Sequence, residues 1–309
     1  MGWIADTLIS MTALTLGGLM VPAVSTFNAR GDLDRAAFQS NLDAYLSHGV
    51  DGVLVAGSSG ESALLDDDDR RALLGWARER IPTDKWMLAG IGSESTRQTI
   101  ARAHDAKAAG ATAVLVVSPH YFLKRMTEGA LLSHFRAVAD ASPLPVMLYN
   151  IPVYAHVVLS PALVHALSQH PNVIGMKDSA GNLPVLAQYL EAQSASFRVM
   201  TGSGATVVPA LNAGAAGAIL AIALYAGPAV RLMVDAARAG RATEAAAMQV
   251  RLAPIATDIG GAMGPAGIKA AMDLVGLHGG PTRSPLLPVS AEELAIIRAR
   301  LESAGVLPT

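Results

Sequence analysis

The sequence predicts an α/β fold, a TIM (β/α)8 barrel with a helical C-terminal extension, and three observations predict it. Short apolar runs recur every 20 to 36 residues or so, with amphipathic helical patterns between them. About eight such units fit within about 220 residues, the arithmetic of an eight-stranded parallel barrel. A doubly wound sheet is the rival, but its glycine fingerprint is missing: Leu19–Val24 leads into Ser25-Thr26-Phe27-Asn28, and Gly202-x-Gly204 is followed by Val207 where the third glycine belongs.

The expected strands, in order, are Leu19–Val24, Val50–Ala56, Trp86–Ile91, Ala113–Ser118, Pro145–Tyr149, Val173–Lys177, Phe197–Thr201 and Gly217–Ala221. Helical patterns lie at Asp34–His48, Asp66–Arg80, Thr96–Ala109, Glu128–Ala141 and Ser160–Ser168. Asp34, the acidic run Asp66–Asp69, Thr96 and Ser160-Pro161 are N-terminal signals, because a short polar side chain can accept from the unpaired N–H groups of a first turn. Gly49, Gly110, Pro82, Pro143 and Pro171 end or follow the helices. After Ala239-Gly240 the alternation stops, and Ala242–Ile259, Ala266–Val275 and Ala291–Ser303 read as Ala-rich helices divided by Gly-Pro turns. The expected organisation is an N-terminal appendage (1–17), a barrel (18–240) and a helical C-terminal domain (241–309).

Composition excludes several function classes. Lys and Arg total 23 against 25 Asp and Glu, so no basic excess exists to neutralise a nucleic-acid backbone. The absence of Cys removes disulfides, thiolate zinc sites, iron–sulfur clusters and cysteine nucleophiles, and fits a cytoplasmic protein. The eight His form no HxH or HExxH pair, so no metal is assigned. Residues 1–29 carry one charge, Asp6, with no basic residue ahead of the apolar stretch, so a signal-peptide n-region is missing. The uncharged stretch between Arg198 and Arg231 is broken by Pro209, Asn212, Gly214, Gly217, Gly227 and Pro228, which suits strand–helix units better than a membrane span.

In a barrel, chemistry collects at the carboxyl ends of the strands. In Val173-Ile174-Gly175-Met176-Lys177 the period of two puts Val173, Gly175 and Lys177 on one face. If that face is inward, Lys177 projects into the barrel mouth with Gly175 leaving room beside it. Desolvation there disfavours the ammonium and favours an amine able to attack a carbonyl. A lysine snorkelling from a strand end is the competing reading. One unit earlier Tyr149 ends its strand, where a phenol beside the amine can move protons; alone it fits a core tyrosine equally well. Gly57, Ser58 and Ser59 follow the second strand and offer hydroxyls and N–H groups to a carboxylate, or form an ordinary capped loop. Tyr121, in Ser118-Pro119-His120-Tyr121, puts a second phenol on the rim or serves as a surface or interface aromatic. Gly202 and Ile219, at the ends of the last two strands, complete the candidate substrate-binding set.

At these residues the chain resembles the dihydrodipicolinate synthase/N-acetylneuraminate lyase superfamily of Schiff-base aldolases. The resemblance rests on Gly57-Ser58-Ser59-Gly60-Glu61, Ser118-Pro119-His120-Tyr121, Tyr149-Asn150-Ile151-Pro152 and Gly175-Met176-Lys177-Asp178-Ser179. Gly267–Met272 and Gly279–Leu286 extend it, so that it runs from about Gly18 to Pro308. It implies a homotetramer built as a dimer of dimers, and no metal or organic cofactor. Lys177 would form an imine with pyruvate or another 2-oxo acid, Tyr149 would transfer protons, and Ser58 and Ser59 would bind the carboxylate and relay protons. Tyr121 matches a tyrosine that reaches into a neighbouring subunit's site.

One departure bears on substrate. Synthases of this superfamily usually carry an arginine five residues after the tyrosine, and here that position is Tyr154, followed by the apolar Ala155-His156-Val157-Val158. A tyrosine cannot replace the charge of a bidentate Arg–carboxylate contact. The expectation is therefore a pyruvate-dependent aldolase for a 2-keto-3-deoxy sugar acid or another 4-hydroxy-2-oxo acid, its partners being a 2-oxo acid and an aldehyde. The alternatives are 4-hydroxy-tetrahydrodipicolinate synthase, with Lys124 or Arg125 as a substitute charge, a 2-oxo acid dehydratase or hydratase-aldolase, and a non-catalytic 2-oxo acid-binding barrel.

Overall fold

The computed structural model describes residues 14–308, so residues 1–13 of the expected N-terminal appendage lie outside the described residues. Eight parallel strands close into a barrel in chain order: β1 (Gly18–Pro22), β2 (Gly52–Val55), β3 (Trp86–Gly90), β4 (Ala113–Val117), β5 (Val146–Asn150), β6 (Val173–Asp178), β7 (Arg198–Thr201) and β8 (Gly217–Ile219), with β8 pairing back to β1. The expected TIM barrel is present, and each strand lies within a few residues of its apolar run. Apart from their ends and Ile174 the strands are buried on both faces, which is why they read as continuous apolar runs rather than alternating ones.

Helices follow the strands along the chain: α1 (Arg35–Ser47), α2 (Asp67–Arg78), α3 (Thr96–Ala108), α4 (Glu128–Ala141), α5 (Pro152–Ala155), α6 (Pro161–Ser168), α7 (Leu183–Leu190), α8 (Val207–Asn212) and α9 (Ala223–Arg238). The N-terminal signals are used as caps. Asp34 accepts from the Ala37 N–H, Asp66 forms a reciprocal box with Asp69, and Ser160 accepts from Leu163. At α3 the cap is Ser95 rather than Thr96, since the Ser95 hydroxyl accepts from the Gln98 N–H and leaves Thr96 in the first turn.

Beyond the barrel lie α10 (Ala242–Ile255), α11 (Ala262–Leu274) and α12 (Ala291–Ser303). The sequence places a Gly-Pro turn between the first two; the structure instead joins them through a π-helical turn, Ala256–Gly261, and puts the break inside α11. Gly264 takes φ +57° there and Pro265 follows, so the break is absorbed by one residue without a Cβ and one without an N–H. Ile255, Ile259, Ile268 and Met272 are buried in the same core cluster as the barrel strands. The chain before β1 also joins the molecule: Leu16 is buried, and the Thr15 carbonyl accepts from the Trp86 indole N–H at 3.3 Å. Among the described residues no helix is long and apolar enough to cross a membrane.

Candidate active site

Strand register assembles the centre of the site. Tyr149 on β5 pairs directly with Lys177 on β6, and the next pair is Asn150 with Asp178. Because side chains alternate along a strand, Lys177 and Tyr149 share the inward face, as the sequence reading required. The Lys177 ammonium or amine lies 3.2 Å from the Tyr149 hydroxyl and 4.5 Å from the ring centroid, and both residues are buried. A snorkelling lysine would reach bulk water; at 4% exposure Lys177 does not.

The outward pair braces this arrangement. The Asn150 amide donates to Asp178 Oδ1 at 2.7 Å, while its own Oδ1 accepts from the Leu159 N–H at 3.1 Å. Burial pushes the Asp178 carboxyl above its ordinary value, against the hydrogen bonds from Asn150 and the Ala180 N–H. Space for the lysine has a different source from the expected one. A Cβ on Gly175 would strike the Arg198 carbonyl at 2.2 Å, so that glycine serves the close approach of β6 and β7. A Cβ on Gly202 would sit 2.7 Å from Lys177 Cε and 2.0 Å from Ser179 Oγ, so Gly202 is the residue that leaves the lysine room.

A cavity of about 320 Å³ opens above the lysine. Ser58, Ser59, Tyr149, Tyr154, Lys177, Gly202 and Ile219 all line it, which brings together seven of the nine sequence-selected site residues. Gly57 precedes the Ser58–Gly60 turn without lining the cavity. Tyr121 is not brought there either: it is 76% exposed, with its ring edge-on to Phe122 and its N–H donating to Glu94. Lys124 and Arg125 lie in an exposed turn and do not line the cavity, so neither supplies a substitute charge within this chain.

Among the described residues lining the cavity, Lys177 is the one lysine, arginine or carboxylate. Tyr154 stands where the arginine of the related synthases is expected, and burial, with Tyr149 nearby, raises its phenol above the ordinary value. Sequence reasoning missed Ser203, Tyr225, Thr257, Gly260 and Ile268 on the walls. Ser203 was available from the strand-end rule, since it follows β7. Thr257 and Gly260 belong to the π-helical turn and carried no strand-end signal. Among the described residues no group of three or more His, Asp or Glu is placed to hold a metal ion.

Comparison with known proteins extends the geometry to the whole chain. The family model described as the dihydrodipicolinate synthetase family matches residues 15–304. The 4-hydroxy-tetrahydrodipicolinate synthase of Exiguobacterium sp. is 32% identical over 92% of this chain and 97% of its own length. That of Xanthomonas axonopodis pv. citri is 38% identical over 90% of this chain and 91% of its own. Among solved structures, dihydrodipicolinate synthase from Bacillus anthracis superposes with a TM-score of 0.89 at 28% identity, covering 95% of this chain and 99% of that one. YagE, a prophage protein from E. coli K12 solved in complex with pyruvate, superposes with a TM-score of 0.88 at 28% identity over 94% and 99%. The chain therefore belongs to the dihydrodipicolinate synthetase family, an enzyme family of Schiff-base-forming lyases.

Proposed function

We propose that this chain condenses pyruvate, held as an imine on Lys177, with an aldehyde. The observation that carries the reading is the buried Lys177–Tyr149 pair at the floor of the cavity. The lysine Nζ would attack the keto carbon, and loss of water from the carbinolamine would give the iminium. Removal of a methyl proton then gives an enamine, whose carbon attacks the aldehyde; hydrolysis returns the amine and releases product. Tyr149 is within reach of the nitrogen to accept and return protons at each stage. Ser58 and Ser59 would receive the pyruvate carboxylate through their hydroxyls.

The curated relatives named above support 4-hydroxy-tetrahydrodipicolinate synthase ahead of the sugar-acid aldolase reading, and aspartate semialdehyde is then the acceptor. One observation favours the second reading: Tyr154, with no arginine and no lysine but Lys177 among the described lining residues, suits an acceptor without a second carboxylate to neutralise. Initial rates with pyruvate and a panel of aldehydes decide between them. Preferred turnover of aspartate semialdehyde establishes the synthase; preferred carbon–carbon bond formation with an uncharged aldehyde establishes the aldolase.

Assembly through the β4–β5 rim fits the same reading. Tyr121, Phe122, Leu123 and Val158 are exposed apolar residues there, Leu123 and Val158 lining a groove of about 300 Å³ with Leu131 and Leu163. A second copy covering that rim would bury them and bring Tyr121 to a neighbouring site, in keeping with a homotetramer. A cytoplasmic location is supported by composition alone, through the absence of Cys.

A further inference from the structure

The Ser58-Ser59 turn is held from below by a buried charge cluster that the chemistry does not itself need. Glu61 closes the turn in the left-handed region, at φ +55° and ψ 40°, and its N–H donates to the Ser58 carbonyl at 3.0 Å. Its carboxylate is buried. Lys269 Nζ lies 2.5 Å from Oε1 as an ion-pair contact, and the Arg283 N–H donates to Oε2 at 2.8 Å. Lys269 also donates to the Pro281 carbonyl at 2.8 Å and stands 4.4 Å from the centre of the Phe27 ring. The Arg283 guanidinium covers the same ring at 4.4 Å and pairs with Asp69. On the turn's other side, Ser25 Oγ donates to the Gly60 carbonyl at 2.7 Å.

Both side chains of the Glu61–Lys269 pair are essentially inaccessible, at 0% and 1% exposure. Such a pair contributes little net stability compared with apolar groups of equal volume, because desolvation offsets the attraction, but its geometry is specific. Burial pushes the Lys269 ammonium down from its ordinary value, and the adjacent Glu61 carboxylate opposes that shift. The pair also ties the turn to α11, whose neighbouring residue Ile268 lines the cavity. Substrate-binding hydroxyls, barrel loop and C-terminal helix thus share one anchor.

We infer that Glu61 is a positioning residue, holding the Ser58-Ser59 turn at the pyruvate carboxylate through its buried contacts with Lys269 and the Arg283 N–H. This rests on the proposed imine chemistry and goes beyond it by making the C-terminal helices part of pyruvate recognition. A residue that acts through the hydroxyls differs from one that merely stabilises the fold in being energetically coupled to them.

The test measures borohydride trapping of the pyruvate adduct, by intact mass, as a function of pyruvate concentration. Four proteins are compared: the unaltered chain, Glu61→Gln, Ser59→Ala and the double variant. Expected is a half-saturating pyruvate concentration raised about tenfold by Glu61→Gln, with the double variant little worse than the more impaired single one. Unchanged pyruvate dependence in Glu61→Gln, or losses that multiply in the double variant, would overturn the inference. Should Glu61→Gln fail to fold, Glu61→Asp keeps the charge and shortens its reach; it is expected to weaken pyruvate dependence in the same coupled way, and a wild-type profile from it is the contrary result. Absence of any adduct in the unaltered chain would instead remove the proposed function itself, and this inference with it.

Discussion

At the scale of single residues, the account turns on which groups surround one nitrogen. Removing it in Lys177→Ala is expected to abolish imine trapping with pyruvate while leaving the melting temperature close to the original. Tyr149→Phe keeps the ring beside Lys177 but deletes the proton carrier, so turnover is expected to fall by about 10² or more with the imine still trappable. Tyr154→Arg adds a cation to a wall whose described lining residues include no arginine. It is expected to raise kcat/KM for aspartate semialdehyde about tenfold or more relative to an uncharged aldehyde. No relative gain would mean that position 154 does not face the acceptor.

Lys177 and Tyr149 were legible in the sequence because a period of two and a strand-end rule need no tertiary information. Tyr121 follows the same rule, yet it is exposed and does not line this chain's own cavity; a loop's path is set by packing that strand periodicity does not encode. The glycine that makes room for the lysine is not the one the strand pattern suggests, for a related reason. Gly175 shares a strand with Lys177, but the close neighbour, Gly202, comes from the segment after β7, and only strand pairing reveals that.

At the scale of elements, two contacts carry consequences. Gly202→Ala would drive a methyl group against Lys177 and Ser179, so imine formation should fall sharply while circular dichroism stays unchanged. The contact between α3 and α4 is expected to respond to acid. His134 is buried, its Nδ1 is 2.9 Å from Thr96 Oγ1, and burial lowers its pKa to about 4, with Glu94 opposing. An unfolded chain takes up that proton near the ordinary 6.5, so the folded state is favoured above that pH. The advantage is lost as pH falls from about 6.5 towards 4, by at most about 3 kcal/mol. Chemical denaturation across this window should show the decline, and His134→Gln should flatten it. Strands and capped helices were readable because alternation, caps and breakers are local signals. The π-helical turn was not, since its composition matches an ordinary α-helical end, although four of its residues line the cavity.

At the scale of the whole molecule, the C-terminal helices are a wall of the site and a share of the core at once. Ile255, Ile259 and Ile268 bury against the barrel, Thr257 and Gly260 line the cavity, and Lys269 reaches the turn that carries Ser58 and Ser59. A chain ended after Arg241 should therefore lose cooperative unfolding, measured by calorimetry, as well as pyruvate binding. A truncated chain that melts cooperatively and still forms the imine would show the extension to be dispensable. The sequence announced these helices by the end of strand–helix alternation, but their part in the site arises from contacts more than 200 positions apart, such as Lys269 with Glu61. No local pattern records such a contact.

The most direct measurement is borohydride reduction of the protein with saturating pyruvate, followed by peptide mapping. A reduced pyruvyl adduct confined to the peptide bearing Lys177 is the predicted result. An unmodified Lys177, or an adduct on another lysine, would contradict the account.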